Sequence, residues 1–269
     1  MKTKNTLVSF ALIVSGVLAG TQSAKAAGFV SNITYTDPTR DVTLNSITQN
    51  GTTFNDFSFV NRTVIQYNTP RTANPNSGAA STDRGDNVFT PEVPQEAPAS
   101  EAITAFLGTN NLNNIVDTED TGSFIIDVFF DNEIQQDNSG LDSLFFWERG
   151  MNSRLGIQAL NAAGNVIGNS RIVSETRLAN NYAGFQINTS EISSAQNVGS
   201  WGVNLNELGV GRLSGLRLTA DASFNGPDFK VIARNGGRTT RVPEPTTILA
   251  LGAVAGMTFL RRRQSVLQK

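Results

Sequence analysis

Between residues 29 and 233, stretches that alternate apolar and polar residues are separated by clusters of turn residues at intervals of ~10 residues. In Val42–Gln49, for example, Val, Leu and Ile alternate with polar residues, and Asn50-Gly51 follows as a turn signal. A strand of this kind buries only one face, so it must lie in a sheet that another layer covers. The pattern predicts an all-β fold, a jelly-roll-like antiparallel β-sandwich of about 10–12 strands with one or two short helices.

Helix signals are few. Ala102–Leu107 is the best candidate, with Ser100 as its N-cap and Gly108 as its terminator, and 111–116 is a candidate for a second short turn. Residues 68–100 hold most of the prolines, which predicts a long irregular excursion at the edge of the sandwich.

The chain contains no Cys and no His. Disulfides, thiolate or imidazole metal ligands and every His-dependent catalytic pair are therefore excluded. Three of the 21 basic residues lie in the first 26 residues and four lie from Pro243 onward, whereas 22 of the 23 acidic residues lie between, so residues 27–242 carry a net charge of −8. This acidity argues against nucleic acid as a partner, because binding phosphates requires an excess of Lys and Arg.

The N-terminal residues 1–26 combine a basic start, an apolar run over 7–20 and small residues at Ala24 and Ala26. This three-part pattern predicts a secretory signal peptide that signal peptidase removes after Ala26. The alternative, a buried core helix, would require a polar face that the run hardly offers.

The C-terminal segment 239–269 begins with a short stalk. It continues with Val242-Pro243-Glu244-Pro245, an apolar span over 246–260 and a basic tail over 261–269 that starts with Arg261, Arg262 and Arg263. The prolines keep the motif extended, the span is slightly shorter than a stable membrane helix, and the arginines hold its end on the cytoplasmic side. The alternative to a temporary span is a permanent single-span anchor.

This order of parts resembles the PEP-CTERM sorting signal. The resemblance implies transient membrane insertion and removal of the tail near Pro243–Pro245 by an exosortase. The region between the two ends, assigned as one surface domain over 27–238, also resembles a group of cyanobacterial exosortase-dependent surface proteins. That resemblance rests on residues 46–51, 57–60, 77–83, 106–114, 142–153 and 224–231. It implies display outside the cell and no particular activity or ligand.

Two kinds of candidate site remain within the predicted domain. Loops rich in Asp and Asn suggest a structural calcium ion, with Asp117, Asp120 and Asp228 as ligands, although such residues also serve simply to form turns. Trp201 lies between two glycines and is a candidate sugar platform, whereas Trp147, in a run that is apolar on both faces, is predicted to be a core residue. The adjacent Glu148 and Arg149 form a candidate salt bridge at the end of a strand.

These features favour an exported, non-catalytic protein with a structural or adhesive role in the exopolysaccharide layer of the cell surface. The first alternative is a carbohydrate-binding module, with calcium as a candidate stabilising ion. The second, a secreted hydrolase that uses carboxylates, ranks last because no stretch presents a catalytic pattern.

Overall fold

The computed structural model describes residues 28–72, 78–88 and 93–236, so the predicted signal peptide and sorting tail lie outside the described residues. Within them the chain forms fifteen β-strands, one α-helix and four single turns of 3-10 helix. The strands are β1 Val30–Tyr35, β2 Val42–Gln49, β3 Thr52–Phe54, β4 Phe57–Ser58, β5 Val60–Asn68, β6 Ala80–Arg84, β7 Asn114–Thr118, β8 Phe124–Gln135, β9 Leu144–Arg149, β10 Leu155–Leu160, β11 Val166–Val173, β12 Tyr182–Ile187, β13 Gln196–Val203, β14 Arg212–Ala220 and β15 Phe229–Arg234. The helix, α1, is Ser100–Leu107, and the 3-10 turns are Glu175–Arg177, Ala179–Asn181, Leu205–Leu208 and Ala222–Phe224.

The strands form three antiparallel sheets. The central sheet has seven strands in the order β12-β13-β9-β15-β7-β6, with β4 also paired to β15. A five-stranded sheet, β11-β10-β14-β8-β5, covers one face of the central sheet, and a three-stranded sheet, β1-β2-β3, covers the other. The predicted antiparallel all-β sandwich is therefore confirmed, with fifteen strands in the described residues where about ten to twelve were expected.

The central sheet buries both of its faces because alternate residues of its strands are apolar on both sides. In β9, Leu144 and Phe146 belong to the main core beneath the five-stranded sheet, whereas Phe145 and Trp147 belong to the second core beneath β1–β3. Trp147 is fully buried and its indole N–H donates to Ser31 Oγ at 2.9 Å. The prediction that Trp147 is a core residue is confirmed.

The turn at Asn50-Gly51 connects β2 to β3 as predicted. Both residues have positive φ angles, 51° and 74°, which is the conformation that a tight hairpin with the twist of a sheet requires.

Three local predictions differ from the structure. The helix begins at Ser100 and its N-cap is Ala99, which provides no side-chain hydrogen bond, so Ser100 is not the cap. The second short turn expected over 111–116 ends early: Asn114 N donates to Asn111 O at 3.2 Å, and β7 begins at Asn114 because β6 and β15 pair with it. β6 itself lies within the segment 68–100 that was expected to be irregular, and its Gly-, Ser- and Ala-rich start gives little strand signal. Within the described residues no helix has the length and apolar character needed to cross a membrane.

Candidate functional site

Among the described residues, the charged cluster with the most ion pairs lies on the central sheet and surrounds Arg149, at the end of β9. Arg149 Nη1 donates to Asp83 Oδ2 at 3.0 Å, and Nε and Nη2 donate to Asp228 Oδ2 at 3.1 and 2.7 Å. The guanidinium also donates to Asp117 and to Thr189 Oγ1. We call Arg149, Asp83, Asp117, Asp228 and the nearby Glu191 the Arg149 cluster.

Strand register explains how the cluster assembles. Asp83 lies opposite Ile115 in the β6–β7 pair, and Ile115 belongs to the second core, so Asp83 faces that core. Asp117 is two residues after Ile115 on β7 and therefore faces the same core. Arg149 follows Phe145 and Trp147 on the same face of β9. Charged residues of β6, β7 and β9, which are separate in sequence, thus meet at one place.

Burial and mutual charge change the acidity of these groups. Burial and the neighbouring Asp117 charge raise the pKa of Asp228 well above its usual range, and burial also raises the pKa of Asp83. Burial alone would raise the pKa of Asp117, but hydrogen bonds and the charge of Arg149 lower it. Glu191 has a raised pKa because of burial and its hydrogen bond to Asp117. The cluster therefore favours the charged form of Asp117, whereas Asp83, Asp228 and Glu191 retain protons more readily than free carboxyls.

The calcium prediction is only partly matched by this geometry. Asp117 and Asp228 do meet, but around a guanidinium that occupies the position of a cation. Asp120 is exposed, lies on the loop after β7 and has its side chain beside Gly226. The carboxylate oxygens that lie within 4.8 Å of one another belong to Asp83, Asp117 and Glu191. Asp120 and Asp228 are not part of that group, and the calcium set of Asp117, Asp120 and Asp228 stays a prediction.

Arg149 and Glu148 do not form the salt bridge that was considered from the sequence. They are adjacent on β9, so their side chains point to opposite faces of the sheet. Glu148 Oε1 accepts a hydrogen bond from Ser153 Oγ at 2.6 Å, whereas Glu148 Oε2 is buried without a hydrogen-bond partner in the described residues. Burial raises the pKa of Glu148 to about 7.

This carboxylate fixes the turn between β9 and β10. Gly150 and Met151 have φ angles of 96° and 55°, and a left-handed methionine is uncommon. The hydrogen bond from Ser153 Oγ to Glu148 Oε1 ties the far side of this turn to β9. The turn therefore keeps a strained shape that projects Met151, Asn152 and Arg154 at the end of the sandwich.

Beside this turn lies a cleft of about 680 Å³. The β9–β10 turn forms one wall, the end of β11 contributes Ile172 and Ser174, and the first 3-10 turn contributes Arg177 and Leu178. Ile172 and Leu178 are 51% and 50% exposed, which is high for large apolar side chains. We call this feature the β9–β10 cleft.

The arginines of the β9–β10 cleft differ from the other arginines. Within residues 28–72, 78–88 and 93–236, nine arginines have an ion pair, a side-chain hydrogen bond or a ring contact, namely Arg40, Arg62, Arg71, Arg84, Arg149, Arg171, Arg212, Arg217 and Arg234. Arg154 and Arg177 have none with the described residues, and both line the cleft. Sequence reasoning missed this pair, and the scarcity of basic residues in an acidic domain was the one signal that could have drawn attention to it.

Trp201, the candidate sugar platform, does not present an exposed ring. It is partly buried against the main core, and its indole nitrogen is buried without a hydrogen-bond partner in the described part of the chain. A platform requires an accessible face, so this packing does not favour the sugar platform, which stays a prediction.

The residues predicted for processing, Ala24, Ala26, Val242, Pro243, Glu244, Pro245 and Arg261–Arg263, lie outside the described residues. No family model, curated protein or solved structure matches this chain. The resemblance to PEP-CTERM proteins thus depends on the residues quoted above, and the candidate sites must be judged on their own geometry.

Proposed function

We propose that the chain is an exported protein, processed by signal peptidase and an exosortase, with a non-catalytic structural or adhesive role at the cell surface or in the exopolysaccharide layer. The observation that carries this proposal is the order of the C-terminal parts: a proline-flanked Glu244, an apolar span of marginal length and an arginine cluster. After processing, the mature product would comprise about residues 27–245.

The fold is compatible with a passive role. Asp83 and Asp117 are buried and bonded to Arg149, and Glu148 is buried and bonded to Ser153, which is itself fully buried. A catalytic carboxylate must reach its substrate, and these cannot without opening the sheets. Two buried cores on both faces of the central sheet suit a rigid module that withstands the exterior without disulfides.

A second candidate function, carbohydrate binding, is favoured by the β9–β10 cleft. Its exposed apolar residues, its polar residues and its two arginines, which have no partner among the described residues, offer the mixture of contacts by which concave sites hold polar ligands. The cleft takes the place of the Trp201 platform in this hypothesis.

The fate of the two ends tests the first proposal. Mass spectrometry of the chain released from intact producing cells should find an N-terminus at Ala27 and no peptides from 246–269. Cells without exosortase activity should retain those peptides in the membrane fraction. A mature surface form that contains Arg261–Lys269 would contradict cleavage by an exosortase. A chain confined to the cytoplasm would contradict export.

A further inference from the structure

We infer that the β9–β10 cleft binds carboxylate-bearing polysaccharide, such as a chain of uronic acids. This inference deepens the proposed function and rests on it for the location of the ligand. The structural basis is that the two arginines without a partner in the described residues, Arg154 and Arg177, line one cleft.

Charge complementarity identifies the acidic group. Residues 27–242 carry a net charge of −8, so most of the surface repels a polyanion. The cleft is an exception because two arginines line it. The nearby carboxylate of Glu175 is already paired with Arg171, which also pairs with Glu207. Arg154 and Arg177 therefore remain available to an external anion. A guanidinium binds a carboxylate through two parallel hydrogen bonds, which makes arginine well suited to this ligand.

The remaining lining identifies the rest of the ligand. Ile172 and Leu178 offer apolar contact, and Asn152 and Ser174 offer hydrogen-bond donors and acceptors. A uronic acid presents the matching three groups: a carboxylate, hydroxyls and the apolar C–H face of its ring. An acidic peptide matches the arginines, but its carboxylates do not bring hydroxyls or ring faces.

The cleft is held in shape by contacts that do not involve the side chains of its two arginines. The Glu148 carboxylate fixes the β9–β10 turn, and Arg154 N donates to Phe224 O at 2.9 Å. The 3-10 turn is closed by Leu178 N donating to Glu175 O at 3.0 Å and by the Asn181 side chain, which donates to the same oxygen at 2.7 Å. A ligand therefore meets a site whose backbone is already ordered, which reduces the entropic cost of binding.

The test measures binding of the purified full-length chain, in mild detergent, to polygalacturonate. The same polymer with its carboxylates methyl-esterified is the matched ligand control, and polyglutamate represents acidic peptides. The variant is Arg154→Gln with Arg177→Gln, and the matched protein control is Arg212→Gln, since Arg212 is 73% exposed and lies elsewhere. Circular dichroism should show that both variants remain folded.

We expect the wild type and R212Q to bind polygalacturonate and not its ester, and the double variant to bind about tenfold or more weakly because it loses charge-assisted hydrogen bonds. Binding should also weaken with added salt, because exposed charges are screened. Equal binding by the double variant, equal binding to the ester, or stronger binding to polyglutamate would each overturn the inference. The proposed function is tested independently of this inference, since surface release and tail removal do not depend on Arg154 or Arg177.

Discussion

Arg149 on β9 and Asp228 just before β15 are joined by two hydrogen bonds, in which Nη2 and Nε of the arginine donate to Oδ2 of the aspartate at 2.7 and 3.1 Å. The Arg149 side chain is 4% exposed, and the same guanidinium reaches Asp83 and Asp117 on β6 and β7. One positive charge thus ties β9 to β6, to β7 and to the residue that precedes β15, and its removal would leave buried acids without a partner.

Replacing Arg149 by Met should destabilise the protein by about 3–5 kcal/mol, because breaking a buried ion pair leaves uncompensated charge. Urea unfolding at pH 7 measures this change. Arg212→Met, at an arginine that is 73% exposed, is the control and should stay within about 0.5 kcal/mol of wild type. A loss below about 1 kcal/mol for R149M would mean that the acids relax or protonate without cost.

Calcium should affect the wild type and the R149M variant differently. In the wild type the guanidinium already donates to Asp83 and Asp117, so we expect neither EDTA nor added calcium to move the melting temperature. In R149M those carboxylates and Glu191 are free to bind a cation, and millimolar calcium should recover part of the lost stability. Stabilisation of the wild type by calcium, lost again in EDTA, would contradict this prediction.

Glu148 should make stability fall as the pH rises. Its pKa is raised from 4.5 to about 7 in the folded state, mainly by burial, so the folded protein binds more protons than the unfolded chain between these values. The contribution of Glu148 to the free energy of unfolding is fully present below pH ~4.5, declines as the pH rises to ~7 and does not change further. The total loss amounts to roughly 3 kcal/mol.

Glu148→Gln keeps an acceptor for the turn and removes this titration. The difference in unfolding free energy between E148Q and wild type should therefore shift in favour of E148Q as the pH changes from 4 to 8. Denaturant titrations at both pH values measure it, and taking the difference cancels the other titrating groups. A difference that does not depend on pH would show that Glu148 titrates normally.

Gly199 on β13 is required by the close approach of the 3-10 turn beside the β9–β10 cleft. A Cβ atom there would overlap the backbone oxygen of Thr176 and contact Met151. Gly199→Ala should cost roughly 1–3 kcal/mol, because the turn must move away from the strand. Gly211→Ala is the matched control, since a Cβ at Gly211 meets no atom within 4 Å and its φ is not positive. Equal melting temperatures for the two variants would show that the turn yields freely.

The sequence by itself determined the fold class. Alternation of apolar and polar residues and the Asn50-Gly51 turn predicted antiparallel strands, because these signals are local and depend on a repeat of two residues. The run Leu144–Trp147, apolar on both faces, predicted a central strand with Trp147 in the core, and that prediction is confirmed. The sequence also supplied the predicted signals at the two ends, which remain predictions.

Only the tertiary structure decided which charged groups meet. Asp83, Asp117, Arg149 and Asp228 are spread over 146 positions of the chain, and strand order and register bring them together. The same holds for Arg154 and Arg177, which face one cleft because the β9–β10 turn and the 3-10 turn after β11 lie at the same end of the sandwich. Local pattern fixes which residues form strands, whereas long-range pairing fixes which side chains become neighbours, and no short-range signal encodes that pairing.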